Sequence, residues 1–144
     1  MSYDLLVFSP ENAPAERAAF LDWWDQTSEW EEDHDYDDPA VSTPRLRAWV
    51  VEMINTFPAM NGPFSQEELP ANESTVTDYS IGQFAIYAAF AWSNAEAAYD
   101  HVFKLAAKHG VGFFDASSDT GAVWLPDGNG GLKLAHEAGA ATDA

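Results

Sequence analysis

Apolar positions along the chain change their period several times, and each change marks an element. "YDLLVF" (3–8) is a short apolar run stopped by Ser9-Pro10, the pattern of a buried strand. "NAPAERAAFLDWWDQTSEW" (12–30) takes a helical period. Asn12 stands where a cap belongs, Pro14 and Glu16 suit a first turn, and Phe20, Leu21, Trp23 and Trp24 form the apolar face. A second helix starts at Thr43-Pro44, and Leu46, Trp49, Val50, Met53, Ile54 and Phe57 then recur on one face until Pro58.

"FSQEELPANES" (64–74) is polar and without period, hence a surface loop. "TVTDYSIG" (75–82) alternates loosely, as an edge strand does, whereas "FAIYAAFAW" (84–92) is apolar on both faces and belongs centrally in a sheet. "SNAE" (93–96) has the spacing of a capping box, followed by the stripe Tyr99, Val102, Phe103 and Ala106. Lys104, Lys108 and His109 favour the end of that helix, and Gly110 suits its terminator. "VGFFDAS" (111–117) and "GAVWLP" (121–126) are two strands around the turn signal Ser118-Asp119-Thr120-Gly121.

The order is therefore strand, helix, helix, strand, strand, helix, strand, strand. Without the second helix and the last strand it is the split strand-helix-strand unit, so the expected fold is α+β: a ferredoxin-like antiparallel sheet (βααββαββ) with helices packed on one face. Residues 1–126 are expected to form one domain. The Gly- and Ala-rich segment 127–144 has few large apolar residues and is expected to be a loose C-terminal tail. Trp23, Trp24 and Trp49 are candidate core or interface residues.

Composition sharpens this picture. A chain of 144 residues, 47% hydrophobic and 14% aromatic, carries enough apolar material for one real core. It has no cysteine, which excludes disulfides and thiolate metal sites. The N-terminal residues lack the pattern of a signal peptide and no apolar run reaches membrane-spanning length, so a cytoplasmic location is expected. Net charge is −18, from 24 acidic and six basic residues. Such a field repels nucleic acid and anionic lipid and draws in basic proteins, in a salt-sensitive way.

The charge is concentrated in "EWEEDHDYDDP" (29–39), where seven of the first ten residues are acidic. Asp33, Asp35 and Asp37 alternate as an EF-hand loop begins, but Asp38 stands where that loop needs Gly and Pro44 where it needs Glu. No metal is expected there, and His34 adds none. "PDGNGG" (126–131) lacks the parts of a phosphate loop and reads as a turn. There is no G-x-S-x-G elbow around Ser80, and His34, His101, His109 and His136 share no ligand spacing. No catalytic residue and no cofactor are expected.

Recognition is what these residues can do. Trp30 and Tyr36 lie among carboxylates, a combination that suits lysine and arginine side chains. The expected partner surface is Glu29, Trp30, Glu31, Glu32, Asp33, Asp35, Tyr36, Asp37 and Asp38, with Arg45 and Arg47 offsetting its self-repulsion. A different reading, as a small enzyme or ligand-binding domain, places a pocket near Tyr79, His109 and Asp115. A third makes the chain a structural homodimer.

At "YDLLVF", "YDDPAVSTPRLRAW", "FPAMNGP", "DYSIG" and "KHGVGFFD" the chain resembles a family of short bacterial proteins, over most of residues 3–126. The resemblance implies no catalytic residue. In size and charge the chain also resembles toxin-immunity proteins, which makes a cytoplasmic inhibitor of a basic toxin domain the leading expectation, with a nuclease as the natural target.

Overall fold

The computed structural model describes residues 2–14, 16–27, 39–57, 77–116 and 121–136. In chain order these form β1 (Ser2–Phe8), α1 (Arg17–Thr27), a 3-10 turn (Pro39–Val41), α2 (Pro44–Ile54), β2 (Asp78–Ile81), β3 (Ala85–Ala91) and a second 3-10 turn (Trp92–Asn94). They continue with α3 (Ala95–His109), β4 (Gly112–Phe114), β5 (Val123–Pro126) and β6 (Leu132–His136). The strands make one open antiparallel sheet in the order β2-β3-β1-β4-β5-β6, so the class is mixed α+β.

β1 lies inside this sheet, paired with β3 from Ser2↔Ala91 to Phe8↔Ala85 and with β4 from Leu6↔Phe114 to Phe8↔Gly112. Leu5, Leu6 and Val7 are fully buried and Phe8 nearly so. Because side chains alternate across a strand, Leu5 and Val7 face one side and Leu6 and Phe8 the other. The first side is covered by α2, through Leu46, Trp49, Val50 and Met53, and by α3, through Ala98, Val102, Leu105 and Ala106. The second side is covered by α1. Its Phe20 packs with Leu6, Phe8, Ala85, Phe114 and Val123, with ring centroids 5.1 Å from Phe8 and 5.4 Å from Phe114.

The expectation of helices on one face is corrected by this arrangement, and the reason lies in β1 itself. A strand apolar on both sides needs two layers. Leaving Leu6, Phe8 and Phe114 in water would forfeit roughly 5–9 kcal/mol of burial, at about 1.5–3 kcal/mol for each side chain.

Local starts and stops differ from expectation in instructive ways. α1 begins at Arg17, where the Glu16 carboxylate accepts from the backbone N–H groups of Ala18 at 3.1 Å and Ala19 at 3.0 Å. Asn12 instead accepts the Ser9 hydroxyl at 2.8 Å. Trp92–Asn94 forms a 3-10 turn, and Asn94 holds the cap position of α3 without a side-chain hydrogen bond, so Ser93 and Glu96 make no capping box. α3 ends as its sequence predicts. Gly110 takes φ 70°, and the Val111 N–H donates to the Ala106 carbonyl at 3.1 Å.

Beyond Pro126 the chain adds β6, a sixth strand where the sequence predicts no element. It pairs with β5 through Trp124↔Leu134, Leu125↔Lys133 and Pro126↔Leu132. The turn between them is held by Asp127, whose Oδ1 accepts from the N–H groups of Asn129 at 2.7 Å and Gly131 at 3.1 Å. "PDGNGG" is thus a side-chain-stapled hairpin turn.

Candidate functional site

Every residue of the expected acidic partner surface, Glu29 to Asp38, lies outside the described residues. Its flanks are well anchored. On one side Trp24, near the end of α1, stacks on Tyr87 of β3 with centroids 5.8 Å apart and planes 7° from parallel. The Tyr87 phenol is pushed above its ordinary value of 10.0 by burial and then by its hydrogen bond to Asp4. On the other side Arg47 donates to the carbonyls of Ala40 at 3.3 Å and Ser42 at 3.1 Å, while the Ser42 hydroxyl donates to the Gly82 carbonyl at 2.7 Å. Arg45 pairs with Glu11 at 3.1 Å. Among the described residues, both arginines therefore find partners at Glu11, Ala40 and Ser42.

Tyr79, His109 and Asp115 occupy three separate places. Tyr79 is buried on β2, donates its hydroxyl to the Phe57 carbonyl at 2.7 Å, and is pushed well above its ordinary value, chiefly by burial. His109 ends α3, with Nε2 2.8 Å from Glu52 of α2; Lys108 reaches the same carboxylate at 2.9 and 3.0 Å. These two contacts lower the Glu52 carboxyl, the Lys108 hydrogen bond most. Asp115 follows β4, where its N–H donates to the Ala122 carbonyl at 2.9 Å. Its charge adds to burial in raising the phenols of Tyr3, to about 12, and of Tyr99. β3 and β1 stand between β2 and β4, which sets Tyr79 and Asp115 about 14 Å apart at the usual strand spacing. His109 is a tie between two helices.

The structure does form a groove elsewhere, between α3 and the β5–β6 hairpin, with a volume of about 840 Å³. Its floor comes from residues four apart on α3, Tyr99, Phe103 and Ala107, facing Trp124 of β5. The rings are fixed by one another. Phe103 meets Trp124 at 5.2 Å and 79° and stacks near Tyr99 at 6.1 Å and 17°, while both Tyr99 and Phe103 rest edge-on against the buried Phe113. Asp100, Lys104 and Lys108, again four apart, form its margin, and Gly130 lies at the hairpin turn. The sequence names Tyr99 and Phe103 as an apolar stripe, but the pairing of that stripe with Trp124 depends on β4–β5 pairing and has no local signal.

Among the described residues no three metal-ligating side chains converge, and no helix is long and apolar enough to cross a membrane. No family model, no curated protein and no solved structure matches this chain.

Proposed function

We propose that the chain is an acidic binding protein for a basic protein domain, acting in the cytoplasm as an immunity or inhibitor protein against a basic toxin, with a nuclease as the favoured target. One observation carries this reading: a net charge of −18 on 144 residues. The arrangement of the cations supports it. Four of the six basic side chains are occupied within the chain: Arg17 by the Gly121 carbonyl, Arg45 by Glu11, Arg47 by Ala40 and Ser42, and Lys108 by Glu52. Of these, Arg45 and Lys108 are paired with carboxylates, and six cations against 24 acids leave the field that a basic partner would feel strongly negative.

In this reading Glu29, Glu31, Glu32, Asp33, Asp35, Asp37 and Asp38 steer the partner, and Trp30 and Tyr36 anchor its lysine and arginine side chains. The order β2-β3-β1-β4, with α2 and α3 on a single side, supports reading these elements as a split strand-helix-strand unit. We read it as a ferredoxin-like core to which α1, β5 and β6 are added.

The test starts with retention of lysate proteins on the immobilised chain at low salt, elution at high salt and identification by mass. Association rates of the retained protein are then measured against wild type and an Asp35→Lys/Asp37→Lys variant. A basic protein that associates more slowly with the variant, and with a shallower salt dependence, is the expected result. Unchanged kinetics would remove the acidic stretch from the account, and retention of no basic protein would end it.

A further inference from the structure

We infer that the groove between α3 and the β5–β6 hairpin binds a small planar aromatic monoacid, its ring seated on Tyr99, Phe103 and Trp124 and its carboxylate directed to Lys104. The inference does not depend on the partner reading.

Size and lining come first. A groove of about 840 Å³ with an aromatic floor and a few polar groups at its margin is what drug-sized ligands occupy. The floor is preorganised, since Tyr99, Phe103 and Trp124 are braced against each other and against the buried Phe113. Flat rings gain from edge-to-face and offset contact with such a surface, and little side-chain freedom remains to be lost on binding.

Charge selects the rest. Lys104 and Lys108 are two of only six cations in the chain, and both stand on this margin. Lys108 is held by Glu52, whereas Lys104 is exposed and has no ion pair among the described residues. One cation is thus available to an incoming anion. Asp100 on the same margin and the −18 field of the whole chain oppose further negative charge, which favours a single carboxylate over a phosphate ester or a polyacid.

The experiment is a titration of the ¹⁵N-labelled full chain with 2-naphthoate, and with 2-naphthalenemethanol as a neutral ring of the same size, followed by heteronuclear NMR and calorimetry. Naphthoate should shift the Trp124 indole and the amides from Tyr99 to Lys108 saturably, and bind roughly two- to fivefold more tightly than the alcohol, as one exposed ion pair provides. Lys104→Gln should abolish that preference and leave ring binding intact. Trp124→Phe should weaken both ligands together. The inference is overturned if no saturable shift occurs up to the solubility limit, if acid and alcohol bind equally, or if the shifts map outside the groove. It is equally overturned if the groove resonances move with protein concentration alone, since the groove would then be covered by a second copy of the chain.

Discussion

Gly112 opens β4 directly opposite Phe8 of β1, and a Cβ built there would lie 2.8 Å from Cε1 of that ring and closer still to Cε2 and Cζ. The ring has nowhere to go. Phe8 is 1% exposed, with Phe20 at 5.1 Å and Trp23 at 6.0 Å on its other sides. Gly112→Ala therefore overpacks a filled space. Three ring atoms in conflict place the cost near the upper end of the usual range, about 3 kcal/mol, while the stiffer unfolded chain returns up to about 1 kcal/mol, leaving a net loss of about 2 kcal/mol. Urea unfolding followed by tryptophan fluorescence should show a lower midpoint at unchanged slope. In a Phe8→Leu background the same alanine should cost almost nothing, a coupling of about 2 kcal/mol. Equal losses in the two backgrounds, or a Gly112→Ala variant as stable as wild type, would refute the steric account.

Other parts of the fold give equally direct tests. Tyr79→Phe leaves the buried Phe57 carbonyl without its 2.7 Å donor and should cost about 1–3 kcal/mol in the same unfolding assay. The phenols of Tyr3, Tyr79, Tyr87 and Tyr99 are all raised, burial being the first cause in each, so the folded state favours their neutral form. Their contribution is whole below the ordinary value of 10.0 and is lost as pH climbs through the folded values, about 12 for Tyr3. Ultraviolet titration should show these phenolates appearing with alkaline unfolding, and a smooth titration of every tyrosine near the ordinary value would contradict this. The Glu52 carboxyl is lowered by Lys108 and His109, so its contribution is present above its ordinary value of 4.5 and is lost as pH falls through the lowered one. Glu52→Gln should make stability less dependent on pH along that acid limb, and an unaltered limb would argue against the tie between α2 and α3. Asp127→Ala should speed amide exchange in β6 with little change in global unfolding; unchanged exchange would mean that the β5–β6 pairing does not need the staple.

Much of the fold was legible where a short-range rule decides it. α2 announces itself because Leu46, Trp49, Val50, Met53 and Ile54 keep one helical face, and all are buried. Gly110 is readable because a left-handed terminator strongly favours glycine. The second layer was visible too, in a less direct form: "FAIYAAFAW" is apolar on both sides, and such a strand demands cover on both. What stays hidden is non-local. β6 offers only Leu132 and Leu134 among small and polar neighbours, so its existence rests on pairing with β5. The groove is hidden for the same reason, because Trp124 reaches Phe103 only after β4 and β5 have aligned. Tyr79, His109 and Asp115 looked like a set because each is a polar group near an apolar run. Each turned out to serve a different junction.

The position of β1 has a consequence for how the protein is made. β1 is made before the other strands of its sheet and is apolar on both sides from Leu5 to Phe8, yet Leu5 pairs with Ala88 and Leu6 with Phe114. At about 5–20 residues per second, β1 waits on the order of 4–16 s for its first partner strand. During that interval "YDLLVF" is a nascent segment with both edges unpaired, the kind of sequence that chaperones hold and that aggregates without them. A chain interrupted before residue 85 should then be captured by chaperones or degraded, while one that reaches residue 114 has every strand needed to enclose β1.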